Sequence, residues 1–237
     1  MKRIRYMLRS LMILFLAMCA SVDVFAMDTG FTTEPMSEED TNTFLKNTNI
    51  SLLTREPQRK AIECFDVRED GMIAIGFGSY VCIYSSDGVF QYGYSFETNG
   101  KIGVELNESA LNIYFVRSDV AVAVNPKGEI RSVETIQNTT QNNSYWNHSV
   151  YLTKRKIGEM EYVLQNDMGP LDFFASSYSQ LAIIEGNGKT RIIYDVNSEQ
   201  VSDVLDSAVF GFLIICLGIC FAIVTIVKGR RQYKSSR

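Results

Sequence analysis

Hydrophobic and polar positions divide the chain into stretches of different period. From Ile62 the apolar residues come in short runs: Ile62–Val67 (IECFDV), Met72–Phe77 (MIAIGF), Tyr80–Tyr84 (YVCIY) and Val89–Phe96 (VFQYGYSF). Glu69-Asp70-Gly71, Gly78-Ser79, Ser86-Asp87-Gly88 and Thr98-Asn99-Gly100 separate and close these runs. Runs rich in β-branched and aromatic residues, joined by Asp-Gly and Asn-Gly turns, predict strands and tight hairpins. Four of them predict one up-and-down antiparallel meander. A looser second copy runs from Ile102 to Val133, through Val104–Leu106, Leu111–Arg117 and Val120–Val124 to the turn Asn125-Pro126-Lys127-Gly128. A third runs from Glu161 to Val196 around Gly186-Asn187-Gly188. The turn glycines 88, 128 and 188 are 40 and then 60 residues apart, and the longer gap holds the polar, Asn-rich stretch Thr135–Ser149, which predicts a loop. A closed propeller typically takes four to eight blades. Three meanders therefore predict a propeller-like, partly open stack.

The two ends follow other patterns. Ala208–Val227 (AVFGFLIICLGICFAIVTIV) is 20 residues with no charge, Pro, Asn or Gln. At about 1.5 Å per helical residue it spans roughly 30 Å, the hydrocarbon thickness of a bilayer. Core helices are amphipathic and this stretch is apolar all round, so a transmembrane helix is predicted. At the other end Lys2, Arg3, Arg5 and Arg9 precede the apolar Leu11–Ala20 and then Val24-Phe25-Ala26, a secretory signal pattern with a cut before Met27. A lipoprotein reading of Cys19 fails because the bulky Met18 precedes it. Between signal and repeats, Met27–Lys60 carries Glu34, Glu38, Glu39 and Asp40 among Thr, Ser and Asn and predicts an acidic linker. Within that linker Ser37, followed by Phe44 and Leu45, predicts the cap of a short helix. The expected organisation is a signal peptide (1–26), a linker (27–60), an extracellular all-β domain of antiparallel four-stranded meanders (61–206), a transmembrane α-helix (207–228) and a cytoplasmic basic tail (229–237).

Charge sharpens this picture. The chain has 46% hydrophobic residues and a net charge of −4, but residues 27–206 hold 14 Lys and Arg against 26 Asp and Glu, a net of −12. That acidity argues against nucleic acid as a partner, and against anionic lipid as the main partner of the domain. The last ten residues, KGRRQYKSSR, carry five positive charges and no negative ones, which places them on the cytoplasmic side.

The stretch FDVREDGMIAIGFGSYVCIYSSDGVFQYGYSF resembles one blade of the NHL or six-bladed-propeller type of repeat. In that pattern a strand ends in Asp, an Asp-Gly turn follows, and a hairpin completes the unit. The resemblance covers Ile62–Phe96. Most of 60–200 also resembles single-span exported proteins of Gram-positive anaerobic bacteria. The two resemblances imply propeller-type repeats in an exported setting and bring no activity with them.

Candidate chemistry is sparse. Cys64 and Cys82 fall on the first and third strands of a meander, about 9.6 Å apart, too far for a disulfide, so two separate buried thiols are expected. Cys216 and Cys220 read as apolar packing on the span. Ser207, Gly211, Gly218 and Ala222 form small-xxx-small pairs, and Gly211, Gly218 and Ala222 mark a candidate helix-pairing face for a partner or a second copy. Gly186-Asn187-Gly188-Lys189-Thr190 lacks the upstream Gly of a phosphate loop, because Ile183 stands there, and reads as a hairpin turn. His148 is the sole histidine, and no metal or cofactor site is expected around it. Glu69 with Asp70, or Glu159 with Glu161, would serve a hydrolase, but a turn and an exposed strand face account for them. Phe90, Tyr92, Tyr94 and Phe96 read as one strand face packed between sheets. Tyr145 and Trp146 lie among polar neighbours and are the candidate partner-binding residues. The expected function is a membrane-tethered, extracytoplasmic β-sheet binding module without catalytic activity. The alternative is an accessory subunit that pairs with another membrane protein through its helix.

Overall fold

The computed structural model describes residues 27–175, 177–202, 205, 209–211, 213–215 and 217–218. The described chain opens with a short strand β1 (Thr33–Pro35), helix α1 (Glu38–Thr48) and strand β2 (Ser51–Leu53). A first meander follows: β3 (Cys64–Val67), β4 (Ile73–Gly76), β5 (Tyr80–Tyr84) and β6 (Phe90–Ser95). The second is β7 (Ile102–Leu106), β8 (Leu111–Phe115), β9 (Val120–Val124) and β10 (Ile130–Ile136). Helix α2 (Thr140–Tyr145) and a π turn (Trp146–Val150) lead to the third: β11 (Lys154–Ile157), β12 (Met160–Gln165), β13 (Gln180–Ile184) and β14 (Thr190–Asp195). All pairings are antiparallel, and β1 joins the outer edge of β10 while β2 joins that of β6.

One hairpin recurs in all three meanders. The glycine of Glu69-Asp70-Gly71, Ser86-Asp87-Gly88, Pro126-Lys127-Gly128 and Gly186-Asn187-Gly188 has φ of 84°, 79°, 85° and 81°. In each, its N–H donates to the carbonyl three residues back: Arg68, Ser85, Asn125 and Glu185. This left-handed region costs a side-chain-bearing residue but not glycine, so the turn motif sets each strand register.

The meanders stack face to face with the first in the middle. Every residue of β3, β4 and β5 is buried. One face of the first meander (Phe65, Ile73, Ile75, Cys82, Tyr84) packs on Tyr162, Leu164, Leu181, Ile183 and Tyr194 of the third. The opposite face (Cys64, Ala74, Val81, Ile83, Tyr94) packs on Val104, Leu111, Ile113, Val122 and Val124 of the second. Each large side chain so buried contributes about 1.5–3 kcal/mol. No apolar cluster among the described residues joins the third meander to the second. Among the described residues each outer meander thus packs its apolar face on the first.

The structure differs from the sequence pattern at four places. Residues 27–60, expected as a linker, are part of the fold through β1 and β2. Ser37 does cap α1, accepting from the Asp40 N–H at 3.1 Å. The stretch Thr135–Ser149, expected as a loop, ends β10 and forms α2 and part of the π turn, with Thr139 as N-cap. The third meander gains β11, whose Lys154-Arg155-Lys156 hides the strand pattern. A bulge between Ile83 and Tyr84 turns Phe90 to the face opposite Tyr92, Tyr94 and Phe96, against Tyr84.

After β14, residues 197–202 are helical, as are the described residues among 205–218. No helix among the described residues is long and apolar enough to cross a membrane. The expected signal (1–26), tail (229–237) and the greater part of the expected span lie outside the described residues.

Candidate functional site

The three meanders meet at a buried ion pair. Asp66 stands one residue before the end of the Cys-Phe-Asp-Val strand β3, and Arg155 shares the inward side of the basic strand β11 with Ile157. The Arg155 Nε lies 3.1 Å from Asp66 Oδ1 and donates to the Phe65 carbonyl at 3.1 Å. Its Nη2 donates to the Ser149 carbonyl at 2.8 Å, at the end of the π turn. Asp66 Oδ2 accepts from the Leu106 N–H of β7 at 2.7 Å, and Oδ1 from Val67 N–H at 2.8 Å. Burial pushes the Asp66 carboxyl up, and Arg155 with the two backbone N–H groups draws it back. The pair thus ties one strand of each meander to the insertion. Its role is architectural.

A segment on the strand side of this junction is held by tyrosine hydroxyls. Tyr84 Oη donates to Glu56 at 3.1 Å, Tyr80 Oη to the Gln58 carbonyl at 2.6 Å, and Tyr194 Oη to the Lys60 carbonyl at 2.7 Å. Burial pushes the Tyr80 hydroxyl up to about 12. The segment borders a cleft of about 760 Å³ where all three meanders contribute: Glu63, Phe77, Lys101, Tyr151, Ser177 and, from the helix after β14, Gln200. Burial raises the Glu63 carboxyl and Lys101 opposes this. Gln200 is 5% exposed, donates from Nε2 to the Ser177 carbonyl at 2.9 Å, and has no partner for Oε1 among the described residues. With Arg59 and Lys60 also at its wall, the cleft presents both signs of charge, while the Gln200 Oε1 is itself buried.

The residues singled out in the sequence are scattered. Tyr145 and Trp146 are half-buried and pack inward: Phe31 lies 4.7 Å from each ring, and Trp146 stacks on Tyr151 at 5.7 Å. Tyr145 and Tyr114 both donate to Glu105, joined by Thr29 Oγ1 at 3.1 Å. They cover the second meander instead of standing as exposed anchors. Gly211 and Gly218 are helical, and a Cβ built on either meets nothing within 4 Å. Ala222, Cys216 and Cys220 lie outside the described residues. Cys64 and Cys82 are free, buried, and on opposite faces of the first meander, with burial pushing the Cys82 thiol up to about 12. His148 Nδ1 sits 2.9 Å from the Ser144 carbonyl. Asp70 is held below its ordinary value by Arg68, 2.6 Å away, and Glu161 lies 4.0 Å from Lys154. Gly186–Thr190 is a hairpin turn. Among the described residues no three His, Cys, Asp or Glu side chains converge to hold a metal. Sequence reasoning missed Arg155, the cleft and Gln200. The strand-ending Asp of the repeat pattern was the one signal pointing to Asp66.

No protein-family model matches the chain, and no curated protein matches it. Among solved structures it is similar to a streptogramin B lyase structure, with TM-score 0.29 and 9% identity over 64% of this chain and 46% of that one. It is also similar to the N-terminal domain of Nup159, with TM-score 0.26 and 7% identity over 72% of this chain and 44% of that one. The chain spans less than half the length of either.

Proposed function

We propose that the protein is an exported β-sheet module, tethered by one C-terminal helix, that binds a partner or a small polar ligand at the cell surface without catalysis. The observation that carries this reading is the set of described helical residues in the apolar stretch 208–227. Val209, Phe210, Ile215 and Leu217 on it are 58%, 67%, 61% and 70% exposed, an apolar surface that a bilayer would cover. The basic apolar start, the acidic middle and the basic tail support the same orientation. Protease added to intact cells tests it: the acidic domain should be cut while a tag after Arg237 survives. A protected domain with a trimmed tail refutes it.

A second reading, an accessory subunit, draws on the open surroundings of Gly211 and Gly218, which would let another helix approach closely. Replacing 208–227 by poly-Leu separates the two. Surface binding survives under the first reading, and co-purification with a membrane partner is lost under the second.

A further inference from the structure

We propose that cutting the chain between Ala26 and Met27 turns the new α-amino group of Met27 into a structural ion, which pairs with Glu134 and fixes the N-terminal segment over the second meander. The inference rests on the exported reading. Hydrolysis of that amide by a signal protease consumes one water, leaves a carboxylate on Ala26 and an ammonium on Met27, and needs no other reactant.

The seat for this ammonium is built. Met27 N lies 3.2 Å from Glu134 Oε1, and the other Glu134 oxygen accepts from Thr33 Oγ1. The Asp28 carbonyl accepts from Asn112 Nδ2 at 2.7 Å, and also from Asn107 Nδ2. Phe31 is 6% exposed beneath Tyr114, Tyr145 and Trp146, and β1 pairs with β10. A Cβ on Gly30 would come within 2.2 Å of the Tyr145 ring, so any side chain there must force that ring aside. In the uncut chain Met27 offers one neutral N–H at this point. After the cut it offers three donors and a full charge.

The charged groups around it favour the cation. Asp28 is on the same segment, Glu105 on β7 and Glu134 on β10, while the nearby cations among the described residues are paired: Arg131 on β10 with Glu129 at 3.1 Å, and Arg68, beside Asp28, with Asp70 at 2.6 Å. An ordinary α-amino group titrates near about 8. A carboxylate partner raises that value in the folded state, so the stabilisation is complete below about 8 and lost as pH rises through the raised value. Burial pushes the Tyr114 and Tyr145 hydroxyls well up, so they do not titrate in the same window.

The test uses the full chain extracted from membranes of an exporting host. Trp146 is the sole tryptophan and touches Phe31, so its emission reports docking of the segment. N-terminal sequencing should read Met27. Between pH 7 and 10 Trp146 emission should shift to the red and the melting midpoint should fall by about 2 °C. Both changes should be absent in Glu134→Gln and in a chain with Gly-Ser inserted between Ala26 and Met27. Retention of residues 1–26 overturns the exported reading and this inference together. A Met27 start with the same pH profile in all three chains overturns the pairing alone.

Discussion

The second meander (β7–β10) packs one face on the first and lays the other under Phe31, Tyr145, Trp146 and Val150. The third (β11–β14) also packs one face on the first, but on its other face Ile192, opposite Ala182, stays 41% exposed. Their outer edges differ in the same sense: β10 gains β1, whereas β14 ends a four-stranded sheet. A stack of three has two terminal faces. Here segments before and after the second meander cover one of them, which a closed ring would have covered with a fourth blade.

The comparison can be broken most severely at the joint all three meanders share. Asp66→Ala leaves the Leu106 and Val67 N–H groups and the part-buried Arg155 without their carboxylate and should cost about 3–5 kcal/mol, read as a drop in the urea midpoint. Removing the cap itself, Phe31→Ala, should cost about 3 kcal/mol by the same measurement and shift Trp146 emission to the red. Gly30→Ala should cost about 1–3 kcal/mol by forcing Tyr145 aside. Ile192→Ala on the uncovered face sharpens the contrast, because its midpoint should stay within about 0.5 kcal/mol of the parent. Thiol labelling of the folded domain at pH 8 should be negligible at both Cys64 and Cys82, and labelling that matches unfolding in rate would agree with two buried, protonated sulfurs.

The repeated hairpin was the most readable part of the chain, because Asp-Gly, Lys-Gly and Asn-Gly specify a backbone conformation locally. What escaped was set by distant partners. β1 and β2 are Thr-Glu-Pro and Ser-Leu-Leu, each too short to declare itself without the sheet edge it joins. Trp146 looked exposed because its sequence neighbours are polar. The helical wrap instead turns Tyr145, Trp146 and Val150 to the sheet and Asn143, Asn147 and His148 to solvent. One bulge was enough to move Phe90 across the strand. Arg155 was hidden by its two lysine neighbours, which alternate outward from the same strand. Gln200 follows β14 in a helix that no turn signal announces.

The pairing of β1 with β10 also dictates an order of events during synthesis. Thr33 and Glu134 are 101 residues apart, so the first part of the body to emerge must wait, unpaired, until most of the second meander has followed it. A chain made from its amino end therefore completes its earliest segment late, and the cap over the second meander closes only after the sheet beneath it exists.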